Sequence, residues 1–253
     1  MKKWAQKDVV LWLSPHAIHI IKKEYDWLHR CRIVLGDTYA EIHNARWMEE
    51  KDTIQAVLQH VLEIYDLCGW SLSLVLSGPL VLWQLCELPA ESDAEGREAV
   101  VWSEPLAGKE TEYIFDICRI HKSDGRDMHP WILGAYPRFA IETVCKAAND
   151  AGLRVRNILL LPGIINNQYA GTDGTFFLQE YKDLHVMEIK EGVVISYAFQ
   201  QGAISRVDST EWFRMNVKEI ATQNLCQPVW QKKTEQFQHK WHIQGPPSLL
   251  GTI

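Results

Sequence analysis

No apolar run in this chain approaches the roughly 18–20 residues that cross a bilayer. The start, Met1-Lys2-Lys3-Trp4, leads into Lys7-Asp8 and not into the apolar core of a secretory signal. If the protein works at a membrane, another component must hold it there. No C-x-x-C pair occurs among the six cysteines, Cys31, Cys68, Cys86, Cys118, Cys145 and Cys226. Their spacing supports neither a zinc centre nor a disulfide framework, and it reads as reduced, mostly buried thiols in a cytosolic protein. A Walker lysine is missing as well. Gly171-Thr172-Asp173-Gly174-Thr175 has the look of a phosphate loop, but its place at the entry to the last third makes it an inter-lobe turn. Positive charge is short: the net charge of −6 argues against a nucleic-acid backbone as the main partner. No catalytic constellation stands out.

What is present is a globular composition. The 253 residues are 47% apolar, enough for one large domain or two lobes with a sizeable core. Eleven tryptophans supply core anchors and candidates for a contact surface. Apolar runs at 9–13 and 18–21, separated by Ser14-Pro15-His16, read as a hairpin, with a third strand at 27–34. Residues 52–68 carry Ile54, Val57, Leu58, Val61, Leu62 and Tyr65 at helical spacing, closed by Gly69. A strand at 72–76 then leads through Ser77-Gly78-Pro79 into the extended run 82–88, which Pro89 stops.

The middle third reads as a second unit. A helix is expected over 94–106, with Asp93 as N-cap, Glu95 and Glu98 in the first turn, and Pro105 at its end. Strands follow at 113–120 and 131–135, then a helix at 138–151 ending at Gly152, and a strand at 156–161. Pro162-Gly163 breaks the chain before a short helical turn at 164–169. The last third shows strands at 175–181, 184–190 and 193–199, a helical pattern at 211–225, a strand beginning at Pro228, and an end that reads as a helix cut short. The strand–strand–strand–helix–strand order of the first third partly recurs after Gly174.

That order, with a small α/β unit inserted after the first half, resembles the actin-like (RNase H-like) ATPase fold in its FtsA and PilM branch, and PilM more closely. Cys86-Glu87-Leu88-Pro89 followed by Arg97-Glu98-Ala99-Val100-Val101-Trp102 resembles the family's E-L-P segment and the helix after it. Ile132-Leu133-Gly134-Ala135-Tyr136-Pro137-Arg138 resembles the strand before the next helix, and Ala147-Ala148-Asn149-Asp150-Ala151-Gly152-Leu153 resembles that helix's end. The resemblance covers most of 9–202. It implies a mixed α/β, two-lobe fold: 1–81 as the first lobe, 82–162 as the inserted subdomain, and 163–253 as the second lobe, truncated at its C-terminus.

The departures bear on function. Where the family's first phosphate loop is an Asp-containing D-I-G-S-S-S turn, this chain has Trp12-Leu13-Ser14-Pro15-His16-Ala17. Trp12 stands at the acid position, Ser14 replaces the glycine, and Pro15 deletes an N–H that would face phosphate. The second loop matches at Gln179-Glu180-Tyr181-Lys182-Asp183, where Gln179 holds no charge and Tyr181 crowds a phosphate nest. Trp12, Ser14, Pro15, His16 and Gln179 are therefore read as degenerate loop positions. His16 and His19 read as loop and surface histidines, since no third ligand lies near in sequence. The 121–129 stretch reads as an exposed turn, Cys145 as a buried thiol, and Lys232-Lys233 as a solvated pair.

The resemblance implies a non-catalytic cytoplasmic scaffold of a type IV pilus, competence or type II secretion-like machine, with no cofactor and no metal. Such proteins bind the cytoplasmic N-terminal peptide of a PilN-like inner-membrane partner, among other pilus assembly components. An extended peptide would use backbone pairing and apolar pockets. Trp83, Leu85, Trp102 and Leu106 are the expected groove wall, with ordinary core packing as the alternative for each. A divergent actin-like ATPase that still binds nucleotide is the second reading. A sugar-kinase-like relative is a weaker third, for want of an acidic base near either loop.

Overall fold

The structure is a computed structural model that describes residues 6–25, 31–120, 127–165, 173–180 and 183–202. The expected helix at 211–225 and the strand at Pro228 lie outside the described residues. Among the described residues, no helix is long and apolar enough to cross a membrane.

Two sheets organise the chain. In the first, β1 (Gln6–Leu13), β2 (Ile18–Tyr25) and β3 (Cys31–Tyr39) form an antiparallel meander. On the other side of β1 lie β4 (Ser71–Leu76) and β8 (Arg154–Leu160), both parallel, giving the order β3-β2-β1-β4-β8. β1 is central, and it reads as the near-continuous apolar run Val9 to Leu13, all buried, that such a position requires. β3 ends five residues beyond the expected 34. Its length follows its partner: it pairs along the whole of β2, and a bulge between Lys22 and Lys23 absorbs the extra residue.

Helix α1 (Lys51–Ile64) packs beside α3 (Arg138–Asp150) on this sheet, burying Ile54, Leu58, Val61 and Leu62. Its C-terminal turn uses Asp66 (φ 44°) and Gly69 (φ 77°) in the left-handed region.

The second sheet is antiparallel throughout and runs β6 (Tyr113–Arg119), β7 (His129–Pro137), β5 (Leu82–Leu88), β11 (Val193–Gln200), β10 (Asp183–Lys190), β9 (Gly174–Glu180). Its two halves come from distant chain segments. The joint is the register pair Ser196↔Gln84, supported by Trp83 Nε1–H donating to the Val194 carbonyl at 2.8 Å. Residues 82–162 are thus shared between sheets: β5 to β7 belong to the second, while α3 and β8 return to the first.

Helix α2 (Asp93–Val100) covers the outer face of β5–β7 over a small core of Cys86, Leu88, Val100, Leu106, Trp131 and Leu133. Two expectations are corrected here. The N-cap is Ser92, not Asp93, in a capping box with Glu95, which satisfies two otherwise orphaned N–H groups at once. The helix ends at Val100, not at 106. Ser103 Oγ donates to the Val100 carbonyl and turns run from there to residue 112, with Pro105 unable to continue a helical ladder. A third correction concerns Pro162. Helix α4 (Leu161–Ile165) starts one residue before it, because a proline in the first turn removes an N–H that has no helical partner. A larger core runs beneath both sheets, joining Trp12, Trp47, Leu74 and Tyr136 to Phe176, Leu178, Met187 and Val194.

Candidate functional site

The two sheets meet where the β1–β2 turn faces the end of β9 and the start of β10. Ser14 closes the first turn on itself: its N–H donates to the Ala17 carbonyl at 3.0 Å, and its Oγ accepts from the Ala17 N–H at 3.1 Å. Pro15 lies against the β4–β5 turn, where Gly78 (φ +96°) leaves room; a Cβ there would stand 2.8 Å from Pro15 Cγ. The Ser14 carbonyl accepts from Trp47 Nε1–H at 2.9 Å, which pins the turn to the short 3-10 turn Trp47–Glu49.

From the other side, β9 alternates inward as Phe176, Leu178 and Glu180, with exposures of 0%, 0% and 4%. Glu180 therefore enters the space between the sheets. Its Oε1 accepts from Ser14 Oγ at 2.6 Å and contacts His19 Nε2 at 2.7 Å, and its Oε2 contacts His185 Nε2 at 3.2 Å. The second ring nitrogens are also engaged, His19 Nδ1 with Thr38 Oγ1 at 3.0 Å and His185 Nδ1 with Tyr197 Oη at 2.9 Å. Tyr197 Oη in turn accepts from the Gly78 N–H at 2.9 Å. Alongside, Asp183 Oδ2 lies 2.8 Å from His16 Nε2, and Oδ1 accepts from the Gly202 N–H at 2.9 Å.

Burial alone would raise the Glu180 pKa. Hydrogen bonds from His185 and His19, together with the charge of those rings, outweigh burial and hold the carboxyl down at about 2. Tyr197 is pushed far up by burial, so its hydroxyl stays protonated. The Ser14 hydroxyl is fully buried and bound to Glu180 and to the turn's own backbone, which makes it a structural donor. Burial also raises the thiols, to about 12 at Cys118 and about 11 at Cys145, against thiolate chemistry. Cys68, Cys86, Cys118 and Cys145 are free. Among the described residues, no group of three or more His, Cys, Asp or Glu is arranged to hold a metal ion.

The loop positions singled out in the sequence do converge here, with differences. Trp12 is a core residue, 1% exposed; its Nε1–H donates to Ser77 Oγ at 2.9 Å and its ring meets His19 edge-on at 5.4 Å. His19 is no surface histidine, since it pairs across the hairpin with Trp12 and is 8% exposed. Gln179 neighbours the acid that matters: the carboxylate facing the cleft is Glu180, one residue on. Sequence reading missed Glu180, Asp183 and His185, although the inward period of β9 points to the first. Tyr181 and Lys182 lie outside the described residues.

The four residues expected along a peptide groove do not share a surface. Trp83 (2% exposed) and Leu106 (0%) are core residues on opposite sides of the second sheet, whereas Leu85 and Trp102 are open, Trp102 at 83%. A small depression lies elsewhere, between the β3–α1 connection and the β4–β5 turn. Pro15, Arg46, Met48, Pro79, Leu80 and Tyr136 line it.

No protein-family model matches the sequence, and no curated protein matches it. The fold has counterparts among solved structures. The PilM–PilN type IV pilus biogenesis complex superposes with a TM-score of 0.57 at 13% identity, over 76% of this chain and 60% of that one. The cytoplasmic domain of EpsL, an inner membrane component of the type II secretion system of Vibrio cholerae, superposes at 0.45 and 10% identity, over 77% and 70%. A Bacteroides thetaiotaomicron protein with an actin-like ATPase fold and unknown function gives 0.45 and 9%, again over 77% and 70%. This chain thus spans 60% of the PilM–PilN chain that it matches, and at 13% identity the likeness is one of fold. The chain has a mixed α/β, actin-like fold in which the two sheets are joined by a buried carboxylate.

Proposed function

We propose that this protein is a PilM-type, non-catalytic scaffold of a type IV pilus, competence or type II secretion-like machine. On this reading it works in the cytoplasm at the inner face of the membrane, held there by a PilN-like bitopic partner whose N-terminal peptide it binds. The observation that carries the non-catalytic half is the state of the cleft. Ser14, His19 and His185 converge on Glu180, and Pro15 removes an N–H from the turn that would otherwise face a phosphate. A nucleotide would have to displace a buried, charge-assisted network. The partner half is supported by the PilM–PilN structure as a counterpart of the fold.

The depression between the β3–α1 connection and the β4–β5 turn is the better groove candidate, because it is open where Trp83 and Leu106 are closed. Met48 and Leu80 line it beside the Arg46–Glu49 ion pair, so an extended peptide laid across it would meet both apolar and charged side chains. The test is fluorescence anisotropy with the labelled N-terminal peptide of the PilN-like protein from the same cell. The reading predicts micromolar binding that Arg46→Glu weakens at least about tenfold, roughly 1.4 kcal/mol, at an unchanged thermal midpoint. No binding by the unaltered protein contradicts it.

One observation favours the second reading, a divergent nucleotide-binding protein: two acids, Glu180 and Asp183, stand at the end of β9 and the start of β10. Their partners are side chains and backbone of this chain, which favours the scaffold.

A further inference from the structure

We propose that Glu180, at the end of β9, is a built-in latch that does for the two sheets what a bound ligand does in a cleft that opens and closes. The carboxylate belongs to the second sheet, and two of its three donors, Ser14 and His19, belong to the first. His16 and Asp183 repeat the crossing beside it. Gly78, in the turn after β4, reaches Tyr197 of β11 to make a third crossing. By contrast, the backbone joint between the halves of the second sheet is a single register pair, Ser196↔Gln84. Side chains, not ladder hydrogen bonds, therefore hold β9–β11 against the first sheet.

The network is built for one charge state of Glu180. The ionised carboxylate accepts at both oxygens, which suits the Ser14 hydroxyl at Oε1 and the Nε2–H tautomers of His19 and His185. The other members have alternatives. The Tyr197 hydroxyl proton can turn from His185 Nδ1 to the Gly78 carbonyl, 3.3 Å away, and Ser14 Oγ can turn to the Ala17 carbonyl at 2.9 Å. The titratable groups around Glu180 are His19 from β2, His185 from β10 and Tyr197 from β11, with His16 and Asp183 alongside. Losing the Glu180 charge releases the latch, and no nucleotide is needed to close it. The latch needs only the fold, so it stands or falls apart from the partner reading.

Amide hydrogen exchange on the full chain tests it, with Glu180→Gln and the milder Ser14→Ala. The latch predicts exchange at least about tenfold faster in β9–β11 while β1, β4 and β8 keep their protection. It also predicts that millimolar magnesium-ATP leaves the unaltered protein's pattern unchanged. Equal loss of protection in both sheets would make Glu180 an ordinary core residue and overturn the latch. So would unchanged exchange in both variants, or ATP-induced protection of β9–β11. Should Glu180→Gln not fold, Ser14→Ala decides by the same criteria.

Discussion

Ser14 Oγ and Glu180 Oε1 lie 2.6 Å apart, both buried, with 166 positions of sequence between them. The contact forms only when both sheets are in place, so its loss is felt as lost cooperation between them. Glu180→Gln keeps the shape and removes the charge. Because the folded carboxyl sits at about 2 and the ordinary value is 4.5, the charged form stabilises the fold at neutral pH. The sign follows from proton counting. Between those two values the unfolded chain binds more protons, so stability is present above about pH 5 and is lost as pH falls toward 2. The shift corresponds to roughly 3 kcal/mol. Urea titrations at pH 7 and pH 3 should therefore show a large gap between the unaltered protein and Glu180→Gln at pH 7 and a much smaller one at pH 3.

Trp12→Asp restores an acid at the first loop by type and should not restore a site. Trp12 is 1% exposed, and its Nε1–H is held by Ser77 Oγ, which itself donates to the Leu13 carbonyl. A charge there has no partner, and the ring leaves a large void, together costing more than about 4 kcal/mol. The gentler Ser77→Ala orphans the indole N–H and should cost about 1–3 kcal/mol. Circular dichroism melts check both, the first expected to be unfolded at room temperature.

Trp83 and Trp102 give opposite expectations for the same substitution. Trp102→Ala, at 83% exposure, should shift stability by less than about 0.5 kcal/mol. Trp83→Ala should cost about 3–5 kcal/mol, since its ring lies over Gly134 and its N–H holds Val194 across the joint between β5 and β11. Equal midpoints for the two variants would contradict the packing described.

Gly96→Ala runs against helix propensity. In the middle of α2 alanine would be favoured by roughly 1 kcal/mol, but its Cβ would stand 2.6 Å from Ile117 Cδ1 and 3.0 Å from Trp131 Cη2. Both neighbours are buried, so the substitution should destabilise by about 1–3 kcal/mol in a chemical denaturation series.

The strands and helices α1 and α3 were legible because their patterns are local: Val9 to Leu13 as a buried run, Ile54 to Leu62 at helical spacing. The end of β3 was not, because β2 sets it across the sheet. Ser92 was hidden behind Asp93, an equally good cap by type; only the reciprocal Glu95 three residues later separates them. The site was half legible. Ser14, Pro15 and His16 were found as a turn that departs from a phosphate loop. Glu180 was passed over for Gln179, although a period of two from Phe176 and Leu178 places 180 inward. His19 and His185 carried no signal of their own, since a histidine's burial is decided by what faces it across the fold.

The claim at the centre of this account is that the cleft is filled by the chain's own side chains and takes no nucleotide. Isothermal titration of the purified protein with ATP and magnesium at neutral pH tests it most directly. The account predicts no saturable heat up to millimolar ATP, about −4 kcal/mol or weaker. A micromolar dissociation constant, near −8 kcal/mol, would contradict it.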